Sequence, residues 1–171
     1  MSLTIRRIDS LDEGLLASLA GVLGDCVAGG ASVGFMNPFA PEQAQAFWRG
    51  VARAVAAGER LLFVAEIGGA VAGTVQLVLA QPDNQPHRAE ISKLLVQRAA
   101  RRSGAGEALM RAAESAARAA GKTLLVLDTA SPDAERLYLR LGWELCGTIP
   151  DYALWPDGGL VDTLVFYKRL A

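Results

Sequence analysis

Histidine is nearly absent from this 171-residue chain: His87 is the only one. Cysteine is scarce too, with Cys26 and Cys146 far apart and in no pattern. A protein metal centre needs several such ligands at short spacing, so no metal is expected. Two unpatterned cysteines give no disulfide framework either, which points to free thiols and a cytoplasmic setting. His87 stands in a proline-rich turn beside Arg88 and reads as a solvated loop residue rather than a base.

A surplus of one charge is also lacking. Lys and Arg total 17, Asp and Glu 18, for a net charge of −1. The two signs are interspersed, so binding of nucleic acid through phosphate neutralisation has no support. No apolar run approaches the ~20 residues of a membrane span. The longest candidate, the alanine-rich stretch 105–120, is interrupted by Glu107, Arg111, Glu114 and Arg118. The first residues have no basic head followed by an apolar run, so no signal peptide is expected. Linkers, repeats and low-complexity segments are absent, and residues 1–171 read as one domain.

What is present is an apolar half (51%) arranged with period. Leu3–Ile8 reads as a strand and Leu11–Val27 as a helix capped by Asp9 or Ser10. A loop, Gly29-Gly30-Ala31-Ser32-Val33-Gly34, leads to a helix opened by Pro41 and stopped at Gly58. Phe47 and Trp48 on that helix read as core. Leu61–Ile67 and Val71–Leu79 form a hairpin through Gly68-Gly69. Arg88–Val96 is a strand, Gly104–Ala120 a helix and Thr123–Thr129 a buried strand. Pro132–Leu141 is a short helix closed by Gly142. Trp143–Ile149 and Leu160–Lys168 complete the set. The fold class is mixed α/β, with about seven strands and four helices.

One stretch carries chemistry. Arg101-Arg102-Ser103-Gly104-Ala105-Gly106 lies between the strand ending Leu94-Leu95-Val96 and a helix start. A helix start offers unpaired N–H groups and the positive end of a dipole. Glycines let such a backbone close on a phosphate, with Glu107 ending the loop and two arginines adding positive charge. A dinucleotide oxidoreductase would want a third glycine where Leu109 stands, so that reading fails.

The order strand, Arg101-x-x-Gly104-x-Gly106, helix, strand, then Ala134-x-x-x-Tyr138-x-x-x-Gly142-Trp143, resembles the GCN5-related N-acetyltransferase (GNAT) family along nearly the whole chain. The pattern departs at Arg102, where glycine is common, and at Arg98, where proline is common. Within the family the resemblance is nearest to the tabtoxin resistance branch. Gly29–Met36, Arg88-Ala89-Glu90, Leu127-Asp128-Thr129 and Pro156-Asp157-Gly158 carry it.

The resemblance implies a mostly antiparallel sheet whose fourth strand is bulged and splays from the fifth. It implies acetyl-CoA as co-substrate. Its pyrophosphate would lie on Arg101, Arg102, Ser103, Gly104, Ala105, Gly106 and Glu107, and its amide arm along Leu94, Leu95 and Val96. Ser131 stands near the position of a family asparagine and would bond that arm or cap the helix. Tyr138 would protonate the leaving thiolate; read by itself it is a core aromatic, and the Ala134–Trp143 frame reverses that reading. Glu90 and Asp128, acids on the two central strands, would deprotonate the amine or hold it as counter-charges. Either could instead be a strand-end acid paired with Lys93 or Arg88. Gly30, Ser32 and Phe35 in the first loop, with Trp155 and Asp157 on the last hairpin, would wall the acceptor or serve only as loop and turn. The implied reaction moves an acetyl group to the primary amine of a small amino-acid-like, antibiotic-like or toxin-like acceptor. The alternative is an acyl-CoA-binding module without turnover. Oligomeric state is open, a homodimer included.

Overall fold

Two apolar runs between Arg60 and Val78, buried on both faces, build the first part of a seven-stranded sheet. In the computed structural model, which describes residues Met1–Ala171, β1 is Leu3–Ile8, β2 Arg60–Ile67, β3 Ala70–Val78, β4 Arg88–Val96, β5 Leu124–Thr129, β6 Glu144–Leu154 and β7 Leu160–Arg169. The strand order is β1-β2-β3-β4-β5-β7-β6. All neighbours are antiparallel except β4 and β5, which are parallel. Four α-helices complete the chain: α1 Glu13–Ala28, α2 Pro41–Ala56, α3 Ala105–Ala119 and α4 Pro132–Arg140.

Alternating side chains send two apolar layers to opposite faces. Phe63, Val75, Leu77, Ala89, Ile91, Leu125, Leu127 and Phe166 meet Leu109, Met110, Ala113 and Ala117 of α3. Leu62, Val64 and Leu95 meet Leu16, Leu19, Leu23, Trp48 and Val51 of α1 and α2. The alanines of α3 let it lie close to the sheet. Gly73 shows how tight the fit is: a Cβ there would stand 2.9 Å from the Leu95 carbonyl oxygen and 3.3 Å from Leu109. One acid enters the α3 layer. Glu114 accepts from the Trp143 indole at 2.9 Å and from Lys168 Nζ at 2.8 Å, so its charge is matched where it is buried.

Two sequence expectations are corrected. The cap of α1 is Asp12, not Asp9 or Ser10. Its Oδ1 accepts the Leu15 N–H at 2.8 Å, because the first helical residue is Glu13, while Asp9 pairs with Arg7. The strand expected to stop at Ile149 runs to Leu154. A register irregularity between Ile149 and Ala153, with Asp151 at φ 52°, lets the polar Pro150–Asp151 break stay within the strand.

Candidate active site

β4 and β5 share three residue pairs, Arg88–Leu124, Ala89–Leu125 and Glu90–Val126, and then part. Beyond Glu90 the β5-facing edge of β4 has no strand partner. On its other edge, two steps of β3 (Thr74 to Gln76) span three steps of β4 (Ser92 to Leu95). The extra residue is a bulge at Lys93–Leu94, with Lys93 in the left-handed region at φ 52°. The implied splay and bulge are therefore both present.

The open edge runs into the phosphate-type loop. Arg102 (φ 62°) and Gly104 (φ 87°) turn the chain left-handed so that α3 begins at Ala105. From Arg102 to Glu107 only the Ala105 N–H has a protein partner, the Ser103 hydroxyl at 3.3 Å. The other five N–H groups are free, and Arg101 through Gly104 are exposed. Gly106 packs on α4, since a Cβ there would lie 3.3 Å from Leu137. The loop is anchored from behind. Asp25 at the end of α1 accepts from the Arg98 N–H at 2.8 Å and from its guanidinium at 2.9 and 3.0 Å. Burial pushes the Asp25 carboxyl up, but the Arg98 bonds and charge outweigh it and hold the group below its ordinary value.

α4 carries Tyr138 under the splay. Ser131 caps this helix through the Ala134 N–H at 3.2 Å. Tyr138 is buried, with its ring 5.9 Å from Trp143 and 5.7 Å from Phe166. Burial, and secondarily the charge of Asp128, push its hydroxyl far above the ordinary phenol value. Its ring is a core aromatic, and its hydroxyl is held in the protonated form more firmly than an ordinary phenol.

The acids differ in their attachments. Glu90, at the last β4–β5 pair, takes a 2.7 Å ion pair from Arg88, which Gln85 holds in turn. Asp128 is exposed, and its Oδ2 accepts from Thr163 at 2.7 Å, leaving Oδ1 free. Its charge is felt by Tyr138 on one side and by Lys93 on the other.

The first loop and the last hairpin meet beside this cleft. Ser32 donates to the Leu154 carbonyl at 3.2 Å, and Asn37 donates to Asp157 at 2.9 Å. Ser32 and Asp157 thus tether the two segments to each other. A cavity of about 380 Å³ lies between them, lined by Ser32, Gly34, Phe35, Asp151, Tyr152 and Leu154. Phe35 packs edge-on against Phe47 at 5.4 Å, and Gly30 (φ 90°) turns the loop. Trp155 closes the hairpin turn through its backbone with Gly159.

Sequence reasoning passed over Arg60 and Gln76 and named Lys93 only as a partner for an acid. Arg60 Nη1 donates to Gln76 Oε1 at 2.6 Å, and Lys93 Nζ lies 5.9 Å over the Phe47 ring. Arg60 Nε, Gln76 Nε2 and Trp48 Nε1 are buried donors with no partner. The available signal was Gln76 itself, a lone amide inside the apolar run Val75–Leu79.

Known proteins share this architecture. Over the full chain it superposes on an N-acetyltransferase from Staphylococcus aureus Mu50 with TM-score 0.80 at 20% identity, covering all of both chains. A phosphinothricin acetyltransferase from Sinorhizobium meliloti, solved with AcCoA, gives TM-score 0.81 at 21% identity, covering 100% of this chain and 90% of that one. A ribosomal-protein-alanine N-acetyltransferase from Brucella melitensis gives 0.76 at 24% identity, covering 98% and 99%. In sequence, 103 residues are 37% identical to an uncharacterized N-acetyltransferase from the hisH-hisA intergenic region of Azospirillum brasilense. That match spans 59% of this chain and 60% of the relative. The acetyltransferase (GNAT) family model matches residues 18–143, across the free edge of β4, the glycine loop and the tyrosine helix. With most of its length under that match, the chain belongs to the GNAT acetyltransferase family.

Proposed function

We propose that this protein is an N-acetyltransferase that moves an acetyl group from acetyl-CoA to the primary amine of a small amino-acid-like acceptor, by direct attack. The observation that carries the reading is the unpartnered edge of β4 running into five free N–H groups. Acetyl-CoA matches both parts. Its pyrophosphate needs several donors, which Arg102, Ser103, Gly104, Gly106 and Glu107 supply, with Arg101 adding charge. Its extended amide arm needs a strand edge, which Leu94, Leu95 and Val96 supply, with Ser131 near its end.

The chemistry follows from what each side chain can do. The amine arrives as an ammonium, drawn to Glu90 and Asp128. Asp128, with one oxygen uncommitted, takes its proton, while Glu90, tied to Arg88, acts as fixed counter-charge. The amine nitrogen bonds to the thioester carbonyl carbon, the carbon–sulfur bond breaks, and the sulfur takes the Tyr138 proton. As the amide forms, the nitrogen sheds its second proton, which restores the Tyr138 phenol, so the two protons lost by the ammonium end on Asp128 and on the coenzyme A thiol. Gly30, Ser32, Phe35, Trp155 and Asp157 hold the loop–hairpin wall beside the acceptor.

The Gly29–Met36, Arg88–Glu90, Leu127–Thr129 and Pro156–Gly158 segments support a place near the tabtoxin resistance branch, and with it an amino-acid-like or toxin-like acceptor. The free thiols of Cys26 and Cys146 support a cytoplasmic setting. No helix is long and apolar enough to cross a membrane. Calorimetry with acetyl-CoA, followed by thiol release on a panel of amino acids, plain amines and aminoglycosides, tests the reading. Binding with amine-dependent release of coenzyme A is the expected result. Binding without release on any amine leaves only an acyl-CoA-binding module.

A further inference from the structure

Five basic side chains in this protein are half-buried: Arg60, Arg88, Lys93, Lys122 and Lys168. Three are matched. Arg88 pairs with Glu90, Lys168 with Glu114, and Lys122 donates to the carbonyls of Leu79 and Pro86. Arg60 and Lys93 have no acid in an ion pair: Arg60 has only the Gln76 amide oxygen, and Lys93 only the face of Phe47. Both stand on the sheet face covered by α1 and α2, and Lys93 feels the charge of Asp128 and, less strongly, that of Arg60. Two like charges drawn from water with no ion-pair partner oppose folding. The donors around them are unfilled as well. Gln76, fully buried on β3, spends its oxygen on Arg60 and leaves its own N–H₂ without an acceptor, and Arg60 Nε is orphaned beside it. Buried donors with no acceptor are rare and costly, so their clustering at two unmatched cations marks a place for an anion.

The register says where that place is. Gln76 lies opposite Ser92, and Arg60 opposite Val78, which in turn faces Glu90. Arg60 therefore lies level with Glu90 two strands across the sheet, and Lys93 stands on β4 where it parts from β5, with Asp128 on the β5 side of the opening. One end of the cleft is acidic and the other basic, a match for a molecule carrying an ammonium and an anion a few ångströms apart. We propose that Lys93 and Arg60, the latter held by Gln76, form a subsite for the carboxylate of the acceptor, which makes the preferred acceptors amino acids rather than plain amines. Lys93 and Arg60 contact the carboxylate; Gln76 positions Arg60. This rests on the acetyltransferase reading for its substrate, but not for the binding itself.

The test uses matched acceptors: phenylalanine against phenethylamine, leucine against isoamylamine, ornithine against putrescine. The wild-type protein should favour the carboxylate-bearing member by ~10-fold or more in kcat/KM, and Lys93→Met and Arg60→Met should each shrink that ratio several-fold. A ratio unchanged in both variants overturns the subsite. A second readout needs no turnover. The Arg60 Nε–H and Gln76 amide resonances, assigned from Arg60→Met and Gln76→Leu, are followed by NMR with phenylpropionate, phenethylamine and inorganic phosphate. Phenylpropionate should move them in wild type and much less in Lys93→Met; phenethylamine should not. Resonances that phenylpropionate leaves in place, or that phosphate moves further, overturn the carboxylate assignment. If no amine is acetylated while phenylpropionate still moves them, the reaction is refuted and the subsite stands.

Discussion

Glu90 and Val126 form the last backbone pair between the two central strands, and Glu90 is tied at that point to Arg88. The second acid, Asp128, lies two residues further along β5, where the strands have already parted. Its Thr163 bond leaves one oxygen open to the cleft. The two carboxylates are thus set apart by their attachments, one fixed by a cation and one half-free. Glu90→Gln and Asp128→Asn keep shape while deleting charge. Asp128→Asn should lower kcat/KM on an accepted amine by ~10-fold or more, about 1.4 kcal/mol in barrier, and should cost more than Glu90→Gln. Acetyl-CoA affinity, measured by calorimetry, should hold in both. Equal full efficiency in the two variants would place the base elsewhere.

Tyr138→Phe keeps the ring against Trp143 and Phe166 and removes only the proton. Turnover should drop by ~10²–10⁴-fold, with acetyl-CoA affinity and thermal midpoint nearly unchanged. Burial raises the hydroxyl's pKa, so it is protonated wherever the enzyme works and the loss should be the same at every neutral or mildly alkaline pH. A variant with wild-type turnover would reduce Tyr138 to packing alone.

Gly104 has open space where a Cβ would go, so its need for glycine is conformational, set by φ 87°. Gly104→Val strains the turn into α3 by roughly 1–3 kcal/mol and re-aims the free N–H groups. Acetyl-CoA binding should weaken at least tenfold, about 1.4 kcal/mol, by calorimetry. Affinity within twofold of wild type would remove the loop from the pyrophosphate site.

Lys93 has no ion-pair partner; desolvation draws its pKa below the ordinary 10.5, the Asp128 charge offsets part of that, and the Arg60 charge adds a smaller lowering. The unfolded chain therefore binds this proton more tightly than the folded one. Stability is reduced at neutral pH, where both states are charged, and recovers as pH rises between the lowered folded value and the unfolded one. Lys93→Met, which keeps an apolar stem on Phe47, should raise the thermal midpoint of the ligand-free protein at pH 7 while narrowing acceptor preference. A lower midpoint would show that Lys93 is matched by a partner.

The fold was readable because each strand carried its own period and each helix its own stop, Gly58, Gly121 and Gly142 among them. The glycine loop and Tyr138 were readable because both are local patterns. Arg60, Gln76 and Lys93 were hidden because nothing in their spacing joins them: residues 16 and 17 apart in sequence become neighbours only through the β2–β3–β4 register. Asp12 was passed over as a cap because Asp9 and Ser10 offer the same chemistry a few residues earlier, and only the position of the first helical turn decides among them. The tether roles of Ser32 and Asp157 likewise depend on a contact across more than a hundred residues.

The seam of three residue pairs divides this protein mechanically. One apolar cluster draws every member from residues before Gln97, while the other bridges both sides of the seam. The N-terminal half owns a private interior; the C-terminal half, β5 through β7, has only the shared one. Chain fragments cut in the Gly121–Lys122 turn are therefore unequal: the first retains a complete layer of α1 and α2 on β1 to β4, and the second must borrow α3 to cover its sheet. Reassembly of the two would rebuild the cleft at the joint itself, so regained acetylation would report on the seam more directly than on either half.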